Sequence, residues 1–110
     1  MSPLRSHDDS MEEIYRADPE YALEMINALL EDGEQQEILI ILRQMTKAFG
    51  GVTAVAERAG LNPTQLYRTL SAEGNPSLSS LKAVLKAMGL RLAVAPMKDG
   101  ANAEPEKMRA

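Results

Sequence analysis

Between positions 62 and 71, Asn62, Thr64, Gln65, Tyr67, Arg68 and Ser71 supply two carboxamides, three hydroxyls and one guanidinium, with no acid among them. These groups suit base edges and phosphates: guanidinium pairs bidentately with guanine, carboxamide with adenine, and hydroxyls or methyls with phosphate or thymine. On that chemistry Arg68 is a candidate to pair with guanine, Gln65 to read adenine, and Thr64 or Tyr67 to meet a phosphate or a thymine methyl, while the sequence assigns no individual base. The same residues also fit a plain helical hairpin with a solvated polar face. Catalysis is the weaker expectation. The carboxylate groupings Glu12-Glu13 and Glu31-Asp32 with Glu34 lack the His or Cys partners that would point to turnover or a transition metal. There is no cysteine, and the single histidine, His7, lies in a polar stretch without companions. No enzymatic activity, cofactor or metal is expected.

Holding those six side chains outward requires a particular frame. Val52 to Ala59 and Pro63 to Ser71 read as two short helices. Ala56 is small where the first must approach the second, and Gly60 sits where the turn needs a positive φ. Leu61 anchors the turn, and Val55, Ala59, Leu66 and Leu70 form the inner stripe. Asn62-Pro63 starts the second helix with a capping side chain and a pre-set first turn. The mechanics are those of a helix-turn-helix.

Around this pair, Asp18-Pro19-Glu20 starts a helix whose Ala22, Met25, Ile26, Leu29 and Leu30 share one face, ending at Gly33. A further helix from about Glu34 to Phe49, apolar all round at residues 38–42, reads as the central core helix. Ser77 caps a last helix with the stripe Leu78, Leu81, Val84, Leu85 and Met88, ended by Gly89. Leu90 to Val94 alternates like a short strand closed by Pro96, and one strand alone has nothing to pair with. The predicted architecture is all-α: a five-helix domain over 18–96 with a short C-terminal β-strand. It follows a tail, 1–17, with a short helix from about Asp9 to Arg16, and precedes a disordered tail, 97–110.

Charge divides the 110-residue chain. Its net charge of −4 conceals −9 over residues 1–37, +6 over 38–98 and −1 over the remainder. Such asymmetry is what two different partners on one chain would require. Arg43, Lys47, Lys82, Lys86 and Arg91 are candidates to neutralise phosphates. No apolar run reaches the ~18–20 residues of a membrane span, and no signal pattern opens the chain, so a cytoplasmic protein without a membrane partner is expected.

The segment "GGVTAVAERAGLNPTQLYRTLSAEGNPSLSSLKAVLKAMGLRL", residues 50–92, resembles the helix-turn-helix domain of the addiction-module antidote family. These are HigA-like antitoxins of the Xre/Cro-repressor superfamily, with a lambda-repressor-like fold. The resemblance rests on Val55-Ala56, Gly60-Leu61, Leu66 to Ser71, Gly74 to Ser77 and Leu85 to Leu92. More loosely it includes the run from Tyr21 to Gly33. Ala54 stands where relatives often carry a polar residue such as Gln, which implies one phosphate contact fewer from the first helix. The resemblance implies a homodimer that neutralises a small basic RelE/HigB-like mRNA-nuclease toxin. It also implies repression of its own operon through a double-stranded DNA operator. The acidic front, 18–37, would complement a basic toxin. The alternative is a stand-alone or prophage transcription regulator without a toxin.

Overall fold

The structure is a computed structural model that describes residues 7–71 and 73–97. Among them the chain is all-helical, in the order α1 (His7–Ala17), α2 (Pro19–Asp32), α3 (Gln35–Ala48), α4 (Val52–Ala59), α5 (Pro63–Thr69) and α6 (Leu78–Ala87). The five helices read from the sequence over 18–96 correspond to α2 to α6. Helix α1 is the sixth, longer than the short helix expected inside a tail. It packs on α3 and carries Tyr15, fully buried, into the core. Apart from Met97, the segment expected to be a disordered tail lies outside the described residues.

The element boundaries follow from capping chemistry. Asp18 accepts a hydrogen bond from the Tyr21 N–H at 3.2 Å, with Pro19 in the first turn. At the start of α3, the Glu37 carboxylate accepts from the Glu34 N–H at 2.9 Å, satisfying a donor that no helical carbonyl reaches. Ser77 caps α6 by accepting from the Ser80 N–H at 3.1 Å.

Helix α3 is the centre of the fold, as its all-round apolar middle predicts. It touches α1, α2 and α4, and buries Leu39, Ile41, Leu42, Met45 and Ala48. Each of the Leu, Ile and Met side chains contributes about 1.5–3 kcal/mol on full burial. The buried Thr46 hydroxyl donates back to the Leu42 carbonyl at 2.8 Å, so this polar group enters the core with its bond made. Ala22 and Ile26 of α2, Val55 and Ala56 of α4, Leu66 and Leu70 at α5, and Val84 and Leu85 of α6 complete the core.

Three sequence expectations change. Leu30 and Leu78, read as inward members of their stripes, are 52% and 66% exposed because they lie at the outer ends of α2 and α6. The segment Leu90–Val94, read as a β-strand, is not a strand. A ladder needs a second strand, and the described residues offer none. The Leu90 N–H closes the end of α6 on the Leu85 carbonyl at 2.8 Å, and among the described residues no backbone–backbone hydrogen bond involves residues 91–97. No single helix among the described residues is long and apolar enough to cross a membrane.

Candidate nucleic-acid interface

Helix α4 leaves α3 at an angle of 100° and ends in a tight reversal before α5. Gly60 stands in the left-handed region at φ 73°, as the turn demands. Its N–H donates to the Glu57 carbonyl at 3.1 Å, and the Leu61 N–H donates to the Ala56 carbonyl at 2.8 Å. Those two bonds form a Schellman closure, which satisfies the last carbonyls of α4 and fixes where α5 must start. Ala56 is fully buried at the crossing, and Leu61 is half-buried beside the turn.

Asn62 then caps α5. Its Oδ1 accepts from the Thr64 N–H at 2.8 Å and the Gln65 N–H at 3.2 Å. Both bonds order the first turn, so the Oδ1 of this site candidate is already engaged in holding the helix. Leu66 at 0% and Leu70 at 2% exposure pin the inner side of α5 to the core. With that side fixed, Thr64, Gln65, Tyr67 and Arg68 all lie exposed on the outer side of a seven-residue helix. Tyr67 is 52% exposed, which leaves its ring and hydroxyl open on the outer side of α5. Ser71 differs from these four. It falls beyond the C-cap Leu70, is half-buried, and its hydroxyl donates to the Arg68 carbonyl at 2.8 Å.

The loop after α5 is held from an unexpected direction. The Gln35 side chain, at the start of α3, donates to the Gly74 carbonyl at 3.1 Å and to the Asn75 Oδ1 at 3.4 Å. A Cβ at Gly74 would stand 1.9 Å from the Thr69 carbonyl oxygen, so glycine is required there by close approach of the backbone. Residue spacing revealed the Gly-Asn-Pro-Ser turn but not its clamp. Gln35 sits in a polar run, and nothing local distinguishes it from Gln36.

The basic residues separate into groups. Lys47, a phosphate candidate by sequence, instead pairs with Asp9 of α1 at 3.3 Å and ties α1 to the body. Arg43 is half-buried on the same helix. Lys82, Lys86 and Arg91 are exposed and border one shallow groove of about 420 Å³, floored by Ala83, Leu90 and Leu92. Arg58 is a further cation. Its side chain runs back along α4, with Nε 3.4 Å from the Ala54 carbonyl and its guanidinium beside Gly50, at the entry to α4. Its charge is legible from residue type, whereas that direction is not.

Helices α1 and α2 expose Glu13, Glu20, Glu24 and Asp32, and the α3 start exposes Glu34 and Glu37. Exposed apolar groups accompany them: Ile14 at 44% and Tyr21 at 37%, the latter with its ring 6.0 Å from that of buried Tyr15. Burial pushes the Tyr15 hydroxyl pKa upward, and Tyr21 adds to the effect. That hydroxyl is buried without a hydrogen-bond partner.

An all-helical body with an acid-free polar helix, α5, and a set of exposed carboxylates on α1, α2 and the start of α3 defines a small helical protein with two chemically different sets of surface groups. Residues 9–96 match the family described as probable addiction module antidote protein, and the chain belongs to that family. The match begins within α1 and runs through the segment after α6. Over 69 residues the chain is 30% identical to an uncharacterized protein of Haemophilus influenzae, an alignment covering 63% of this chain and 70% of that one. No solved structure matches. Membership in an antidote family implies a toxin as partner and a regulatory rather than enzymatic role.

Proposed function

We propose that this protein is the antitoxin of a type II toxin–antitoxin module. In this reading it neutralises a small basic RelE/HigB-like mRNA nuclease and, as a homodimer, represses its own operon by binding double-stranded operator DNA in the cytoplasm. The observation that carries the DNA half is α5: a capped helix with Thr64, Gln65, Tyr67 and Arg68 exposed together and no acid within it. Helices α4 and α5 would act as a lambda-repressor-like helix-turn-helix of the Xre/Cro type. The α5 outer face would enter the major groove, and Arg58 and the start of α4 would meet the flanking phosphates. Two copies would place their recognition helices in successive major grooves ~34–36 Å apart. The toxin half is supported by antidote-family membership and by charge. A nuclease that attracts RNA presents cations, and the exposed carboxylates of α1 and α2 complement them.

The test has two arms. Co-expression with the product of an adjacent small basic open reading frame should give a stable complex and restore growth that the product alone arrests. Titration of the DNA upstream of the gene should give specific binding that weakens steeply with salt as counterions are released. Specific DNA binding without any toxin complex would replace the antitoxin reading with a stand-alone regulator. A toxin complex without DNA binding would remove the repressor role.

A further inference from the structure

Residues 90–94 carry an alternating pattern but no ladder, and the side chains keep the alternation. Leu90 and Leu92 are half-buried while Arg91 and Ala93 are exposed. Val94 would continue the apolar side, yet it is 94% exposed, and Met97 is 44% exposed. Leu90 also lines a second groove, of about 250 Å³, with Pro19, Leu23, Phe49 and Met88. Beyond Leu90 the segment therefore leaves the body without backbone partners among the described residues, with an apolar side that runs past its own support and two grooves that share Leu90 at its root.

We infer that residues 90–94 form a two-stranded antiparallel ribbon with the same residues of a second copy, centred on Leu92. This deepens the homodimer of the proposed function and rests on it. The occupant is another copy of this chain because the segment complements itself in one register. With Leu92 opposite Leu92, Leu90 of each copy faces Val94 of the other, and Arg91 faces Ala93. All the apolar residues then share one side of the ribbon, and no like charges stand opposite one another. A shift of one residue would put Arg91 opposite Leu92 and break the apolar side. The second copy's Val94, the most exposed large apolar side chain among the described residues, comes to lie beside Leu90, which lines both grooves. The symmetry is two-fold, so the contact closes at two copies. A basic protein or an acidic peptide seated on the same segment would gain nothing from this internal pairing.

The chain has no native cysteine, so single cysteines report the register directly. Directly opposed residues in an antiparallel pair have Cα atoms about 4.5–5.5 Å apart, within disulfide reach. The Leu92→Cys full-length chain should therefore oxidise almost completely to a covalent dimer. In Val94→Cys the two thiols would be about 13 Å apart along the ribbon and should cross-link far more slowly, although position 94 is the more exposed. Val94→Asp, at a position that supports nothing in the single chain, should raise the dimer dissociation constant at least about tenfold in sedimentation equilibrium by putting a charge on the apolar side. Equal or faster cross-linking through position 94 would overturn the ribbon, as would a Val94→Asp dimer as tight as wild type. A wild-type chain that sediments as a monomer at every concentration would overturn both the ribbon and the homodimer. None of these readouts involves DNA or toxin, so failure of the repressor or antitoxin role is scored separately.

Discussion

Helices α2 and α5 begin with the same device, a capping side chain followed by proline, yet they present opposite surfaces. Asp18-Pro19 opens a 14-residue helix with Glu20 in its first turn and no base in its last; Asn62-Pro63 opens a seven-residue helix with no acid at its start and Arg68 at its end. Either cap would serve either helix, because Asp and Asn satisfy N-terminal donors about equally well. The difference lies in what approaches from outside. A carboxylate at the start of α5 would repel a phosphate backbone, whereas at α2 it extends a negative face. Local stability and partner choice are thus written in different atoms of the same motif.

The comparison can be broken most forcefully from beneath. Leu66→Ala removes the fully buried side chain that orients α5, and it should cost about 2–5 kcal/mol of stability in chemical denaturation. A loss below 1 kcal/mol would mean that α5 is not held by the core. Arg68→Ala should leave folding unchanged and weaken operator binding by ~1–3 kcal/mol if the guanidinium reads a base. Unchanged affinity in a gel-shift titration would retire that role. The two caps can then be separated by charge. Asn62→Ala should cost about 1 kcal/mol of stability, while Asn62→Asp should keep the cap yet weaken DNA binding most at low salt. Equal behaviour of both variants toward DNA would show that the neutral cap carries no meaning for the partner.

The smallest effect concerns α1. Tyr15→Phe removes a buried hydroxyl that has no partner and should stabilise the fold by up to about 1 kcal/mol. The sign of its pH dependence follows from the raised pKa. Below the unfolded tyrosine value near 10 the neutral hydroxyl is favoured in both states; above it the unfolded chain releases its proton first, so stability falls with rising pH. Wild type should therefore lose stability above pH 10 more steeply than Tyr15→Phe. Parallel alkaline profiles for the two proteins would contradict the buried, partnerless position.

Much of this was legible in residue types. Asp18, Asn62 and Ser77 reveal themselves as caps because each pairs a suitable side chain with a following apolar period, and Gly60 because only a turn of that hand explains it. The central helix follows from the unbroken apolar run at 38–42. What escaped depends on distance along the chain. Gln35 reaches residues 74 and 75, and Lys47 reaches Asp9, contacts that no local pattern encodes. Tyr15 falls in the stretch 1–17 expected to be a tail with a short helix, although its ring is fully buried in the core and its helix packs on α3. The segment 90–94 shows the opposite case: its pattern is that of a strand, but a pattern cannot supply the second strand.

The proposed separation of partners between the two faces is most directly tested by a crossed binding titration. Wild type, Arg68→Ala and the double variant Glu20→Lys/Glu24→Lys would each be measured against operator DNA and against the toxin. The carboxylate reversal should weaken the toxin complex while operator binding is kept or strengthened, and Arg68→Ala should do the reverse. If both variants lose the same partner, or the carboxylate reversal leaves toxin affinity untouched, the two faces do not serve separate partners.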